Sequence, residues 1–220
     1  RNALIHHVHV RALRVAVDRI GGTRFATALD FGCGVGRLTP VLLGAADRVV
    51  GVDPSPVMRE RARAAAPAAR TTFVAPGEVP ELRPPVLVIA TYVLTILPEA
   101  EAVGALTDLR RCAGGGAAIA LIERVVLRPG TALPDVEPRD AGWYARALRA
   151  TGWTFAGMQR IRSEASVPVA ANARLGPRLP RRLRPAVART FAAMEATTAR
   201  FSARGRYADL LVWGRAAGRR

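Results

Sequence analysis

Short apolar runs alternate with segments of helical periodicity along most of the chain. Positions 25–31, 48–53, 71–75, 86–91, 117–123, 153–162 and 207–214 have strand length and end at glycine, proline or charged residues. Between them, 3–20, 37–43, 56–66, 99–112 and about 139–150 read as helices, the first Arg-rich and amphipathic. Strands alternating with helices predict an α/β fold with a doubly wound, mainly parallel sheet. At 220 residues, one domain over 1–220 with a sizeable core is expected, and no internal repeat is apparent.

The first strand runs into the densest chemical signal. Asp30 precedes Gly32, Cys33, Gly34 and Gly36, with a helix-compatible segment directly after. Alternating glycines allow backbone angles that side chains forbid and let a ligand approach the main chain. Amides at the helix start favour a carboxylate or phosphate, and Asp30 is placed to accept from a cationic amine. An amine and a carboxylate on one ligand describe an amino acid. The second strand ends at Asp53, on the same sheet edge if the two strands are parallel neighbours, and an acid there suits a ribose diol. Ser55 then caps a helix with Pro56 at its first position.

An acid, three alternating glycines and a second acid after the next strand resemble the class I S-adenosylmethionine-dependent methyltransferases. A nicotinamide-binding Rossmann fingerprint would place its third glycine at position 37, which is Arg37. The resemblance implies a Rossmann-like seven-stranded, mainly parallel sheet flanked by helices, its last strand antiparallel between the fifth and sixth. It implies S-adenosylmethionine as cofactor, held by Asp30, Gly32, Cys33, Gly34, Gly36, Asp53, Pro54, Ser55, Met58, Glu78 and Thr91. Glu78 is the expected adenine contact after the third strand, at an irregular spacing. The acid and the histidine that relatives have at and after the fourth strand read Val86 and Ile96 here, so the general base does not stand where the family would put it.

Candidates for the acceptor side are therefore few. Glu123 ends the predicted fifth strand, as a base or as a surface acid paired with Arg124. His6 and His9 share a face of the first helix and either could be a base. Tyr92, Trp143 and Tyr144 could line an acceptor pocket or belong to the core. No metal is expected, since neither cysteine nor an acidic set completes a ligand shell around the histidines. No Asn/Asp-Pro-Pro-Tyr motif follows the fourth strand, neither Cys33 nor Cys112 follows a proline, and no acidic ligand set stands at the fourth strand's end. By resemblance these absences argue against adenine-N6, cytosine-C5 and magnesium-dependent catechol chemistry. A small-molecule O- or N-methyltransferase is expected, acting on a sugar or secondary metabolite.

Composition adds a second theme. The formal net charge is +16 and every basic side chain apart from histidine is arginine. An insertion at 163–206, where the family has a short connection, carries Arg174, Arg178, Arg181, Arg182 and Arg184 ahead of an amphipathic helix. Its stripe of Val187, Phe191, Met194, Thr198 and Phe201 is expected to pack down, with Arg189, Arg200 and Arg204 on another face. Topology places the insertion beside the site, where Arg181 and Arg182 would meet an anionic acceptor or stand as a solvated flap. RNA bound on this basic flank is the alternative partner, and a catalytically silent scaffold is a third reading. Two cysteines, one inside the glycine loop, and no signal-peptide or transmembrane pattern suit a cytoplasmic protein.

Overall fold

The structure, a computed structural model, describes the chain apart from residues 1, 22–23, 129, 132–134, 138, 165–167, 169–173, 176–177, 200–204 and 218–220. Helix α1 (Asn2–Arg19) precedes β1 (Phe25–Phe31), α2 (Thr39–Ala45), β2 (Ala46–Val52), α3 (Pro56–Ala65), β3 (Thr71–Val74) and β4 (Val86–Thr91). Then follow α4 (Glu99–Ala113), β5 (Ala118–Val126), α5 (Ala141–Ala150), β6 (Trp153–Ser163), α6 (Arg184–Thr198) and β7 (Tyr207–Ala216).

Seven strands form one sheet in the order β3-β2-β1-β4-β5-β7-β6, with β7 antiparallel to both neighbours. Central strands are buried on both faces, which is why they read as unbroken apolar runs. One face is covered by α4 and α5, packed through Leu106, Leu109, Tyr144 and Leu148. The other is covered by α1, α2 and α6 through Leu4, Val8, Leu13, Leu42 and Ala192. Local chemistry sets the helix starts. Ser55 Oγ accepts from Met58 N–H at 3.3 Å ahead of Pro56, and Asp140 Oδ1 accepts from Trp143 N–H at 2.7 Å.

Three expectations are corrected. Helix α2 begins at Thr39, because Gly34 to Leu38 form turns, so no helix N-terminus opens directly behind the glycines. Strand β5 continues past Glu123 to Val126, because β7 pairs with it as far as Val126 opposite Tyr207. The inward stripe of α6 is rotated by about one residue: Ala188, Ala192 and Glu195 are buried, whereas Met194 is 47% exposed and Thr198 faces out. Val187 and Phe191 are half-buried, and Phe201, Arg200 and Arg204 lie outside the described residues. Helix α6 packs against α1 with the small Ala192 buried and Phe191 half-buried beside it.

Candidate functional site

Parallel register brings the C-terminal ends of β1 and β2 together, with Asp30 beside Gly51 and Phe31 beside Val52. The loop between is folded on itself. Gly32 and Cys33 N–H both donate to Val52 O at 2.7 and 3.0 Å, and Gly36 N–H donates to Cys33 O at 3.0 Å. Asp53 secures the rest: Oδ2 accepts from Gly34 N–H and Oδ1 from Ser55 N–H, each at 2.9 Å. The amides that the sequence offered to a carboxylate are therefore largely spent within the loop. At Gly34, where φ is +54°, nothing lies within 4 Å of where a Cβ would point, so open space fronts the loop there. Cys33 contributes only backbone to this front, since its thiol is buried against Ala62 and Phe73 and pushed up to about 12 by burial, then by Asp30 and Asp53.

Asp30 is enclosed. Burial raises its carboxyl to about 7, with Asp53 adding to the rise and Arg37 opposing it. Thr91 Oγ1, at the end of neighbouring β4, is buried without a hydrogen-bond partner. An acid that needs a cation, an orphaned hydroxyl, a carboxylate at the second strand's end and open space before a glycine together fit a ligand with an ammonium group and a ribose. Pro54 and the half-exposed Met58 flank this front at the start of α3. Glu78 is exposed and turned onto its own loop, where Oε2 accepts from Ala75 N–H at 3.0 Å.

Glu123 holds the other wall in place. It is fully buried, and its two oxygens accept from the amides of Val93, Leu94 and Thr95 at 3.2, 3.1 and 2.9 Å. Burial pushes the carboxyl up to about 8 while those three donors pull it down. It is thus neither a surface acid nor the partner of Arg124, and both of its oxygens already accept from the chain. It anchors the segment after β4, which enters through Tyr92 at φ +57°. Glu123→Ala would leave three amides without an acceptor, at about 1–3 kcal/mol each. Thermal melting should show a loss of several degrees or an unfolded chain.

From Tyr92 a polar chain runs beneath α1. The Tyr92 hydroxyl donates to Asp209 Oδ2 at 2.5 Å and lies 3.2 Å from His9 Nε2, while His9 Nδ1 is 3.1 Å from Arg37 Nη2. Because Arg37 only donates and Tyr92 gives its proton to Asp209, the network assigns the His9 proton to Nε2. Burial, then Arg37, lowers His9 to about 3, so it stays neutral. His6 Nδ1 meets the same guanidinium at 3.2 Å. Burial and Asp209 drive the Tyr92 hydroxyl well above its usual range. Asp209 itself is fully buried between Arg124 Nε at 3.2 Å and Arg162 Nε.

Other candidates fall outside the cleft. Trp143 and Tyr144 belong to the core under α5: Trp143 Nε1 donates to Glu99 Oε1 at 2.8 Å, and Tyr144 is enclosed with its hydroxyl on Arg124 O at 3.3 Å. They pack on the α4 side of the sheet, opposite the face carrying His9. Arg181 and Arg182 are exposed in the turn before α6. Four members of the network, Arg37, Arg124, Arg162 and Asp209, were absent from the sequence reading of the site. The available signal was a single acid inside an otherwise apolar last strand. Among the described residues no group of His, Cys, Asp and Glu could hold a metal ion, and no helix is long and apolar enough to cross a membrane.

The model of a methyltransferase-domain family matches residues 28–116, which take in the glycine loop, Asp53 and Tyr92. No curated protein matches in sequence. Among solved structures, the chain is similar to one in the complex of the Haloferax volcanii Trm112 methyltransferase activator. The two are 18% identical over 95% of this chain and 90% of that one, with a TM-score of 0.64. Geranyl diphosphate C-methyltransferase from Streptomyces coelicolor A3(2) is 14% identical, with 94% and 77% covered and a TM-score of 0.61. The [4+2]-cyclase SpnF is 20% identical, with 96% and 81% covered and a TM-score of 0.65.

Proposed function

We propose that this chain is a class I S-adenosylmethionine-dependent methyltransferase and that it methylates a nitrogen of a small-molecule acceptor; the methyltransferase-domain model over residues 28–116 and the shared fold support the first part. When bound, the cofactor supplies a methyl group on a positively charged sulfur. Asp30 is suited to its ammonium group, Asp53 to its ribose, and the open space at Gly34 to close approach of its chain. Thr91 and Val93 would border it on the β4 side.

One observation carries the choice of nitrogen: among the described residues, the side chains that were candidates to take a proton, Glu123, Tyr92, His9 and His6, already have hydrogen-bond partners. Glu123 serves three amides, Tyr92 donates to Asp209, and His9 is held between Arg37 and Tyr92. A hydroxyl nucleophile needs a base, whereas an amine needs only to arrive neutral and lose its extra proton to water afterwards. The guanidiniums of Arg37, Arg124 and Arg162 favour that neutral form, because nearby cations disfavour an ammonium ion. Among the fold neighbours, one is a phosphoethanolamine N-methyltransferase of Haemonchus contortus and another is a cyclase, so the fold leaves the reaction to the site.

The test is methyl transfer to paired acceptors that differ only in an amine or a hydroxyl. Turnover of the amine at least about tenfold faster is expected; equal rates would overturn the nitrogen assignment. The exposed Arg181 and Arg182 are proposed as an outer guide for an anionic acceptor. Their joint change to Gln should raise acceptor KM about two- to fivefold at low salt and leave cofactor affinity unchanged. Were this flank instead an RNA-binding surface, affinity for RNA would fall by orders of magnitude between 50 and 200 mM salt, as roughly six phosphate contacts require.

A further inference from the structure

The geometry points to a preformed anion site on the acceptor half of the sheet edge, in which the Arg124 guanidinium, backed by Arg162, receives a carboxylate or phosphate group of the acceptor. The assignment deepens the methyltransferase reading and rests on it.

Cross-strand register sets Arg124 on β5 and Arg162 on β6 to either side of Asp209 on β7. Each arginine meets Asp209 through Nε alone, on a different carboxylate oxygen. Neither uses the paired, fork-to-carboxylate geometry that consumes a guanidinium. Arg162 is 2% exposed, and its Nη2 is enclosed with no hydrogen-bond partner. A buried charged donor without an acceptor is costly in a finished structure and is resolved when an acceptor arrives. The two Nη atoms of Arg124 also make no hydrogen bond with the described residues.

Arg124 is held for such a partner. Its guanidinium carbon stands 4.4 Å from the Tyr207 ring centroid and 5.0 Å from that of Tyr92, so two rings fix its plane. Its side chain stays 25% exposed. Rings that stack on the guanidinium leave its edge, where the Nη donors point, as the accessible part, which suits a planar or tetrahedral oxyanion. The trio of Arg124, Arg162 and Asp209 carries one net positive charge. Glu195, the buried acid of α6, has Oε1 on Ser163 N–H at 2.8 Å.

Position separates this site from the cofactor's. Strand order sets β7 three strand spacings from β1, about 14 Å from the edge that carries Asp30. From the end of β4, where Thr91 and Val93 would border the cofactor, the distance to β5 and β7 is about 5–10 Å. The acceptor is therefore a short bifunctional molecule, with its anionic group that far from the nitrogen that takes the methyl.

The test follows the side-chain Nε–H resonance of Arg124 by NMR in protein saturated with S-adenosylhomocysteine, titrated separately with inorganic phosphate and with acetate. A saturable shift with a millimolar Kd is expected for one of the two, and which one identifies the anion class. In Arg124→Lys, which keeps the charge but loses the fork, that Kd, read from the Arg162 resonance, should rise about tenfold. S-adenosylhomocysteine affinity should stay within about twofold, as a folded cofactor half requires. Arg111 on the outer face of α4, 76% exposed, is the control and should shift only linearly. No saturable shift at Arg124 with the cofactor product bound overturns the anion site and leaves the methyltransferase reading standing. Failure of S-adenosylhomocysteine to bind overturns both.

Discussion

Gly34→Val is expected to fold and to lose affinity for S-adenosylhomocysteine by about 100-fold or more. The substitution costs about 1–3 kcal/mol of backbone strain, since φ is +54° there. It meets no protein atom within 4 Å, so the added side chain stands in the open space before the loop rather than in the core. Calorimetric titration with a parallel thermal melt checks both halves of the result. The contrast is Gly32→Ala, whose Cβ would fall inside the Val93 side chain at φ +74°, and which should lower the melting temperature sharply. A Gly34→Val protein that binds as wild type would remove the glycine loop from the cofactor site.

Cofactor affinity is also expected to climb with pH from about 5 to 7 and then level off. The cause is Asp30, which burial above all, and then Asp53, lifts to about 7. Below pH 4 the carboxyl is protonated in folded and unfolded chains alike. Between 4 and 7 the folded chain retains a proton that the unfolded chain has lost, so stability falls across that window and the penalty is complete above 7. An ammonium group binds the ionised acid. Binding below pH 7 must therefore expel a proton, at up to about tenfold in affinity per pH unit. His9, lowered to about 3, does not titrate in this range. The check is S-adenosylhomocysteine affinity from pH 5 to 8 in wild type and in Asp30→Asn, which should bind weakly with a nearly flat profile. A flat wild-type profile would show that Asp30 is ionised throughout.

Much of the fold was legible because the strands of a covered parallel sheet are apolar on both faces. β1 and β4 begin and end where the apolar runs do. The strand order, with β7 between β5 and β6, came from resemblance to a family and could not come from periodicity. In the site, Asp30, the glycines and Asp53 were readable because they stand close in sequence and need special backbone geometry. Glu123 was misread because nothing local announces that three amides from a segment about thirty residues upstream converge on it. Asp209, Arg124 and Arg162 meet only through cross-strand register. Register between β5, β6 and β7 depends on how the insertion ahead of β7 closes, which hydrophobic pattern does not encode. Trp143 and Tyr144 follow a helical pattern that fits core and pocket equally, and only packing on α4 decides between them.

Arg37 touches both His6 and His9, one helical turn apart on α1, while its charge acts on Asp30 from the cofactor loop. The first helix is thereby tethered to the glycine loop through one guanidinium. Undocking of α1 and the neutralising of Asp30 then share a common free energy: a helix that lifts away returns Arg37 wholly to the acid, so a ligand cation that takes over the neutralising of Asp30 leaves Arg37 to the two histidines and tightens the tether. Binding of S-adenosylhomocysteine is therefore expected to slow amide hydrogen exchange along α1, and the same rate in Arg37→Gln should not respond to it.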